Sequence, residues 1–267
     1  MVEVSGRTRV WSILADPVVQ VKAPQMLNAW MADHNIDGIM IPMHIAAQDL
    51  SLTLQALRCM QNWQGCIVTV PHKSTIVALL DRVSPAASLV GAANVVRRDK
   101  SGHLFGDILD GVGFVRGLTN SGIDPRGMSA YLAGAGGAAN AIAFALADAG
   151  VSRLAIANRT AIKADNLAQK VKAAFPSLAV EVVGRDPAHY DLVLNATSLG
   201  MKPDDALPFD PETLAPDQII AEIIMVPEET AIMAAARAKG CRVHPGRPML
   251  LAQRDLMIEF LGMNENE

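Results

Sequence analysis

Short apolar runs alternate along the chain with segments whose apolar residues recur at helical spacing. In the first part, strands are predicted at residues 10–14, 38–43 and 65–70. Between the last two, leucines and a methionine recur at near-helical spacing over residues 47–62, which predicts an amphipathic helix. Strands that alternate with helices are typical of open α/β sheets joined by right-handed crossovers.

The alternation continues beyond a different middle segment. Residues 91–97 and 103–106 flank a turn that contains glycine and predict a hairpin, whereas residues 74–90 are predicted to form a pair of helices. Later strands are predicted at 130–133, 154–157, 179–183, 192–195, 218–224 and 241–244, and later helices at 161–175, 229–239 and 249–261. We expect the last helix, which no strand follows, to pack back on the first domain. The pattern predicts an α/β fold.

The stretch 130–150 combines a strand, a glycine-rich turn and an alanine-rich helix. Glycines in such a turn let the chain leave the strand tightly and let the backbone approach a pyrophosphate, and the helix N-terminus favours the anion. The alternative is a merely structural glycine turn. We interpret this stretch as a dinucleotide site, with candidate cofactor residues Gly134, Gly136, Gly137, Ala138 and Ala139.

The end of the next predicted strand bears on the choice of cofactor. About 20 residues after the glycines, an enzyme that uses NAD places Asp or Glu on the ribose hydroxyls. This chain has Asn158, Arg159, Thr160 and Lys163 in that region, so no carboxylate repels a 2′-phosphate and two cations can bind it. NADP is therefore favoured over NAD. The alternative is that Arg159 and Lys163 form a solvated helix start.

Composition narrows the class of protein. The 267 residues are 51% hydrophobic and 19% charged, as in an ordinary globular protein, and suffice for two modest domains or one large one. A net charge of −4 gives no support for binding to nucleic acid or to an anionic membrane. The three cysteines and six histidines lack metal-ligand spacing, so no metal is implied. With no signal-peptide pattern and no long apolar span, we expect a cytoplasmic protein.

Candidate chemistry lies where predicted strands end. Lys73 follows the strand at 65–70, and Asp110 stands at the start of a helix. Ligands of open α/β sheets bind beyond the carboxyl ends of the strands. The polar loop 195–201, which leaves a strand end, is well placed to contact the nicotinamide end of a cofactor.

Several motifs, in this order, resemble the shikimate dehydrogenase family. They are Val68-Thr-Val-Pro-His-Lys73, Gly91-Ala-Ala-Asn94, Asp110-Gly-Val-Gly-Phe-Val-Arg116, Gly134-Ala-Gly-Gly-Ala-Ala139, Asn158-Arg-Thr160, Asn195-Ala-Thr-Ser-Leu-Gly-Met201 and Met249-Leu-Leu-Ala-Gln253. The resemblance covers nearly the whole chain. It implies two α/β domains with a cleft between them, and NADP-linked interconversion of a ring alcohol and a ketone.

The resemblance also implies domain limits and residue roles. Residues 1–110 and 246–267 would form the substrate and catalytic domain, and residues 111–245 the NADP-binding Rossmann domain. Lys73 and Asp110 match the family's catalytic pair. Substrate contacts fall at Thr69, Asn94 and Gln253, and further cofactor contacts at Thr197, Ser198 and Met249.

The implied chemistry is proton relay coupled to hydride transfer. A lysine with an adjacent carboxylate can take the hydroxyl proton, and a protonated lysine can return it in the reducing direction. The alternative for Lys73 and Asp110 is a structural ion pair between domains. Pro248 stands where the family usually has a glycine near the nicotinamide, which affects the expected pose of that ring.

The chain departs from the family at one end of the substrate site. Two serines that bind the substrate carboxylate are replaced by Val21 and Ala23. Further polar positions of the family are apolar here: Ile67, Ile108, Leu109 and Met225. Burying a carboxylate without hydrogen-bond partners costs several kcal/mol, so shikimate is expected to be a poor substrate.

Two substrate hypotheses remain open from the sequence. The first is a vicinal diol or hydroxyketone whose far end is neutral or apolar. The second is slow turnover of shikimate or quinate, with Lys22 or another cation holding the carboxylate. A rival from another class is a non-catalytic NADP-binding regulatory protein, because fold does not imply turnover. The expected partner is a small molecule rather than nucleic acid or a membrane, and the protein is expected to be a monomer or a homodimer.

Overall fold

Two six-stranded sheets organise the fold, and each is built from a different part of the chain. A computed structural model describes residues 4–265. Contacts divide the described chain into two units: one reaches Leu109 and resumes at Arg254, and the other runs from Asp110 to Gln253. Among the described residues, no helix is both long and apolar enough to cross a membrane.

The sheet of the first unit is mixed. Its strands are β1 (Arg9–Ala15), β2 (Gly38–His44), β3 (Trp63–Val68), β4 (Arg82–Val83), β5 (Val95–Arg98) and β6 (Leu104–Asp107), in the order β2-β1-β3-β5-β6-β4. The helices of this unit are α1 (Ala23–Asp33), α2 (Leu50–Cys59) and α3 (Pro85–Val90). Strand β1 pairs in parallel with β2 and β3, whereas β5 is antiparallel to both β3 and β6. The predicted hairpin is therefore present as β5 and β6.

Residues 74–90 do not form the predicted pair of helices. They form a 3₁₀ turn at Ile76–Leu79, the short strand β4, and α3. Ser84 accounts for the break, because its Oγ accepts a hydrogen bond from Ala87 N at 3.0 Å and so caps α3. Pro85 then occupies the first turn, where a missing N–H costs nothing.

The sheet of the second unit is parallel throughout. Its strands are β7 (Ser129–Ala133), β8 (Arg153–Ala157), β9 (Ala179–Val182), β10 (Leu192–Asn195), β11 (Ile219–Glu222) and β12 (Arg242–His244). The helices in this part of the chain are α4 (Asp110–Asn120), α5 (Gly137–Asp148), α6 (Ala161–Ala174), α7 (Ala231–Ala238) and α8 (Arg247–Phe260). The order β12-β11-β10-β7-β8-β9 reverses between β7 and β10, and ligands of such sheets bind beside that point.

The core of the first unit includes residues from the far end of the chain. Trp11 is fully buried, and its Nε1 donates to the carbonyl of Leu261 at 3.1 Å. Leu256 and Ile258 of α8 lie in the same cluster as Trp11. The sequence predicted a domain boundary before residue 246, ahead of α8. Contacts divide the two units between Gln253 and Arg254, inside α8. Each large apolar side chain buried in this way stabilises the fold by about 1.5–3 kcal/mol.

Candidate functional site

The chain leaves β7 through a turn that only glycine fits. Gly134 has φ of 122°, and a Cβ there would lie 2.7 Å from the carbonyl oxygen of Ala196. Its N–H donates to Ala157 O at 2.7 Å, at the end of β8. The glycine-rich turn therefore packs directly against the loop that follows β10.

The next residues of this turn leave room for a ligand. A Cβ on Gly136 or on Gly137 would meet no atom within 4 Å, and both residues are exposed. No side chain caps the N-terminus of α5. Ala138 is half-buried and Ala139 is fully buried beneath the turn. This open backbone at a helix N-terminus fits the pyrophosphate of a dinucleotide.

The predicted 2′-phosphate residues gather at the end of β8. Asn158 follows the strand, and its Nδ2 donates to Thr160 O at 2.9 Å. Thr160 precedes α6 without capping it through its side chain. Arg159 and Lys163 are exposed, and Lys163 N donates to Thr160 O at 3.0 Å. Arg159 therefore lies just before α6 and Lys163 lies in its first turn, in the same unit as the glycine-rich turn.

A hydrogen-bonded loop follows β10. Asn195 is fully buried, and its Oδ1 accepts from Thr197 N at 3.0 Å and from Thr197 Oγ1 at 2.7 Å. Its Nδ2 donates to Leu199 O at 2.9 Å. Thr197 is half-buried and Ser198 is exposed. The asparagine side chain thus sets the path of the loop that carries both predicted contacts.

Sequence reasoning missed the residue beneath this loop, Glu222 at the end of β11. Its carboxylate is fully buried and accepts from Asn195 Nδ2 at 2.9 Å and from Thr230 Oγ1 at 3.1 Å. Burial raises the pKa of Glu222, while the hydrogen bonds from its neighbours lower it. The available signal was an acidic residue inside an otherwise apolar strand, because a charge so placed is buried only with partners.

Asp110 lies at the start of α4 and is 6% exposed. Its Oδ1 accepts from Gln253 Nε2 at 2.7 Å, so these two predicted site residues lie in contact within the second unit. The contact depends on Gly113, where a Cβ would lie 2.3 Å from Gln253 Cγ. Met249 is buried on α8, with its backbone N against Gly117.

In the first unit, hydrogen bonds between strand ends bring Thr69, Lys73 and Asn94 together. Thr69 follows β3, and its N–H donates to Leu14 O at 3.1 Å. Lys73 O accepts from Ala93 N at 2.9 Å. Asn94 is 2% exposed, and its Oδ1 accepts from Leu109 N at 2.8 Å. The predicted catalytic lysine and the predicted hydroxyl contact therefore share one edge of the sheet.

Four of the apolar replacements belong to a single hydrophobic cluster of the first unit or pack against it. Ile67 and Leu109 are 4% and 5% exposed and belong to the core around Trp11. Val21 and Ala23 are half-buried and pack against that core. Lys22, between them, is exposed. Four of the replacements thus belong to the apolar core of the first unit or pack against it, whereas Met225 lies in the second unit and is exposed.

His72 of the first unit and His244 of the second unit are both buried. His72 is 1% exposed and its Nε2 lies 2.8 Å from Ile45 O. His244 is 2% exposed, and burial lowers its pKa to about 4, which keeps the ring neutral. Within residues 4–265, no group of three or more His, Cys, Asp or Glu side chains is arranged to hold a metal ion.

These features define a class of enzyme: a dinucleotide-dependent oxidoreductase with a second α/β unit. Family models agree, because residues 13–96 match a shikimate dehydrogenase substrate-binding domain and residues 121–201 match shikimate/quinate 5-dehydrogenase. A shikimate dehydrogenase (NADP+) of Moorella thermoacetica is 39% identical over 261 residues, which cover 95% of this chain and 88% of the relative.

Solved structures give the same result. Shikimate 5-dehydrogenase from Listeria monocytogenes, in complex with shikimate and NAD, superposes with a TM-score of 0.92 at 30% identity, covering 97% of this chain and 93% of that one. Ligand-free 5-ketofructose reductase from Gluconobacter sp. strain CHM43 superposes with a TM-score of 0.90 at 29% identity, covering 96% and 94%.

The chain belongs to the shikimate dehydrogenase family. It is an oxidoreductase of the shikimate 5-dehydrogenase type, which interconverts an alcohol and a ketone, and the cofactor of this class is NADP. The predicted family, fold class and cofactor are therefore confirmed. The alternative of a non-catalytic binding protein finds no support in these similarities.

Proposed function

We propose that this enzyme interconverts a neutral vicinal diol and the corresponding hydroxyketone with NADP. The observation that carries the proposal is the apolar cluster of the first unit. Val21 and Ala23 replace the serines with which the family holds a substrate carboxylate, and Ile67 and Leu109 replace two further polar residues. All four lie within or against one hydrophobic core. A carboxylate bound there would be desolvated without donors, at a cost of several kcal/mol.

The cofactor end of the proposal rests on the second unit. The open backbone of Gly136 and Gly137, above the buried Ala139, provides N–H groups for the pyrophosphate. Arg159 and Lys163 supply positive charge for the 2′-phosphate, assisted by the polar side chains of Asn158 and Thr160. The loop with Thr197 and Ser198, together with Met249, contacts the nicotinamide end in this proposal.

The proton step rests on Lys73 and Asp110. Bound NADP would supply the hydride acceptor for the carbinol carbon, so the oxygen on that carbon must also lose its proton. Lys73 Nζ takes that proton, and the Asp110 carboxylate, oriented by Gln253 at 2.7 Å, relays it. In the reducing direction, Lys73 donates the proton to the carbonyl oxygen.

The residues proposed to bind substrate hydroxyls, Asn94 and Thr69, support a diol or hydroxyketone as the substrate rather than a simple alcohol. Asn94 is buried with its amide oxygen bound to Leu109 N at 2.8 Å, which fixes the orientation of the amide. Thr69 stands half-buried at the neighbouring strand end. A site built to bond hydroxyl groups discriminates strongly in favour of substrates that carry them. The Gluconobacter relative, a 5-ketofructose reductase, acts on a neutral polyhydroxy ketone.

A second candidate is genuine but slow oxidation of shikimate or quinate. The curated relatives at 31–39% identity are shikimate dehydrogenases, and this favours it. The exposed Lys22, between Val21 and Ala23, is the cation that would then hold the carboxylate.

Initial rates of NADP reduction distinguish the two candidates. The substrates are shikimate, quinate and a panel of neutral cyclic and acyclic vicinal diols, and 5-ketofructose tests the reverse reaction with NADPH. We expect a neutral substrate to have the highest kcat/KM and shikimate to fall below it by at least about 100-fold. Shikimate that saturates at low concentration and exceeds every neutral diol would refute the pocket argument.

The variant Lys73→Ala tests the proton step in the same assay. We expect kcat to fall by about 10²–10⁴-fold, the usual contribution of a positioned acid or base, with NADPH affinity unchanged. Lys100→Ala, in the exposed hairpin turn of the same unit, is the matched control and should retain full activity. If Lys73→Ala keeps more than half of kcat, the lysine is not the proton acceptor.

A further inference from the structure

Glu222 has no role in the chemistry described above, although it is the most completely enclosed carboxylate of the second unit's site. It ends β11, is 0% exposed, and takes part in four hydrogen bonds. Its Oε1 accepts from the backbone N–H of Ile223 at 2.9 Å and of Ile224 at 3.2 Å. Its Oε2 accepts from Asn195 and from Thr230.

Every partner of Glu222 is a hydrogen-bond donor, and the orientation of the Asn195 amide follows from this. The Asn195 side chain presents its donating Nδ2, rather than its amide oxygen, to Glu222 Oε2 at 2.9 Å. The amide oxygen of Asn195 then necessarily faces Thr197. There Oδ1 accepts from both the backbone N–H and the hydroxyl of Thr197.

The direction of the Thr197 hydroxyl follows from this. A hydroxyl has one donor and two acceptor positions. The proton of Thr197 Oγ1 points to Asn195 Oδ1 at 2.7 Å, and one acceptor position receives Leu199 N at 3.0 Å. The second acceptor position is the hydrogen-bonding capacity that this hydroxyl retains for a ligand. Thr197 is half-buried, beside the open glycine-rich turn.

We propose that Glu222 is a positioning residue that acts through Asn195 to hold Thr197 Oγ1 as a hydrogen-bond acceptor for the bound dinucleotide. The group it would accept from is an N–H or O–H donor at the nicotinamide end, such as a carboxamide or a ribose hydroxyl. This inference rests on the proposed function, which places Thr197 at the cofactor.

The contacts of Glu222 also join three segments that must keep their places together. Asn195 begins the loop after β10, Ile223 and Ile224 begin the segment after β11, and Thr230 caps α7 through Met233 N at 3.4 Å. Replacing the Glu222 carboxylate is therefore expected to disturb the loop after β10 more than the core that lies away from it. The expected consequence is a specific loss of cofactor affinity.

Direct NADPH binding, measured by fluorescence titration of the full chain, tests the relay. Glu222→Gln replaces one acceptor oxygen by a donor, so either Asn195 or a backbone N–H then faces a donor. We expect the Kd for NADPH to rise about tenfold, with kcat at saturating cofactor and the KM for the alcohol changed less than about twofold. If Glu222→Gln does not fold, Glu222→Asp keeps the charge on a shorter side chain and should show a smaller shift of the same sign.

Gln218→Met is the matched control. Gln218 immediately precedes the same strand, is 3% exposed, and donates from Nε2 to Pro187 O and Tyr190 O at 2.9 and 2.8 Å. Its loss should lower the unfolding temperature but leave the Kd for NADPH unchanged. A rise in Kd of equal size in this control would mean that the Glu222 effect is general destabilisation, and would overturn the proposal.

Thr197→Val, alone and combined with Glu222→Gln in a double variant, tests the placement of Thr197 at the cofactor separately from the relay through Asn195. Effects of coupled residues are not additive, so the double variant should bind NADPH as weakly as the worse single variant, and Thr197→Ser should bind normally. If Thr197→Val leaves the Kd unchanged, the placement of Thr197 at the cofactor fails. If Thr197→Val weakens binding but Glu222→Gln does not, or if the effects add, the relay through Asn195 fails while the proposed function stands.

Discussion

The two units differ in what they present at the ends of their strands. In the second unit, Gly134 follows β7, Asn158 follows β8 and the polar Asn195 ends β10, and a buried carboxylate, Glu222, supports the loop after β10. In the first unit, Thr69, Lys73 and Asn94 are polar, but the neighbouring Ile67 and Leu109 are apolar and buried.

This difference separates two demands on the same enzyme. A dinucleotide requires open backbone, N–H donors and positive charge, and the second unit supplies all three. A substrate requires whatever groups match its own, and in our proposal the first unit supplies groups for hydroxyls beside an apolar core. Under this proposal, cofactor binding keeps the family pattern while substrate recognition departs from it.

The open backbone of the second unit offers the test with the largest expected effect on the Kd for NADPH. Gly136 has φ of −83°, so alanine fits its backbone, and the added Cβ meets no protein atom within 4 Å. Gly136→Ala should therefore fold normally yet obstruct the phosphates, at a cost of about 2 kcal/mol or about 30-fold in the Kd for NADPH. Isothermal titration gives the Kd.

Gly184→Ala is the control for this variant, since a Cβ there also meets no atom within 4 Å. It should bind NADPH normally. If Gly136→Ala also binds NADPH normally, the glycine-rich turn is not part of the cofactor site, and the contrast between the two units fails.

The charges at the start of α6 test cofactor choice with a smaller effect. Arg159→Ala combined with Lys163→Ala removes two exposed cations, and we expect about tenfold weaker NADPH binding. The Kd for NADH should change less than about twofold, because NADH lacks the 2′-phosphate. The ratio of the two Kd values is the quantity to measure.

Lys170→Ala, on the exposed face of the same helix, controls for net charge. It should leave that ratio unchanged. Equal weakening of NADH and NADPH by the Arg159 and Lys163 variant would show that these residues do not read the 2′-phosphate.

The smallest expected effect sharpens the comparison at the first unit. Val21→Ser with Ala23→Ser supplies hydroxyl donors at two half-buried positions where the family has serines. We expect kcat/KM for shikimate to rise about fivefold and that for the best neutral diol to fall, measured as initial rates of NADP reduction. Val19→Ser, in the same loop and 88% exposed, should change neither. A rise for both substrates would argue against a specific carboxylate position.

Local patterns predicted much of the fold and part of the site. The strand at 192–195 and the glycine-rich turn were predicted from residues adjacent in the chain, because apolar runs and glycines act locally. The segment 74–90 was not, since the cap by Ser84 and the pairing of β4 with β6 depend on contacts that no spacing reveals. Glu222 was missed for the same reason: its partners Asn195 and Thr230 are 27 and 8 residues away in sequence.

The linear order of residues was enough to predict the α/β alternation and the glycine-rich turn, and it shows that no carboxylate lies near Arg159 and that positions 21 and 23 are Val21 and Ala23. These features depend on residue type and on neighbours within one element. Their chemistry is local, so it can be read along the chain.

Folding in three dimensions decided the remainder. It joined Ile67, Leu109 and the half-buried Val21 in one apolar cluster, set Gln253 against Asp110, and enclosed Glu222 beneath Asn195. These arrangements depend on burial and hydrogen bonds between residues remote in sequence. A buried polar group must find its partners wherever the backbone brings them, and only the packed structure determines which they are.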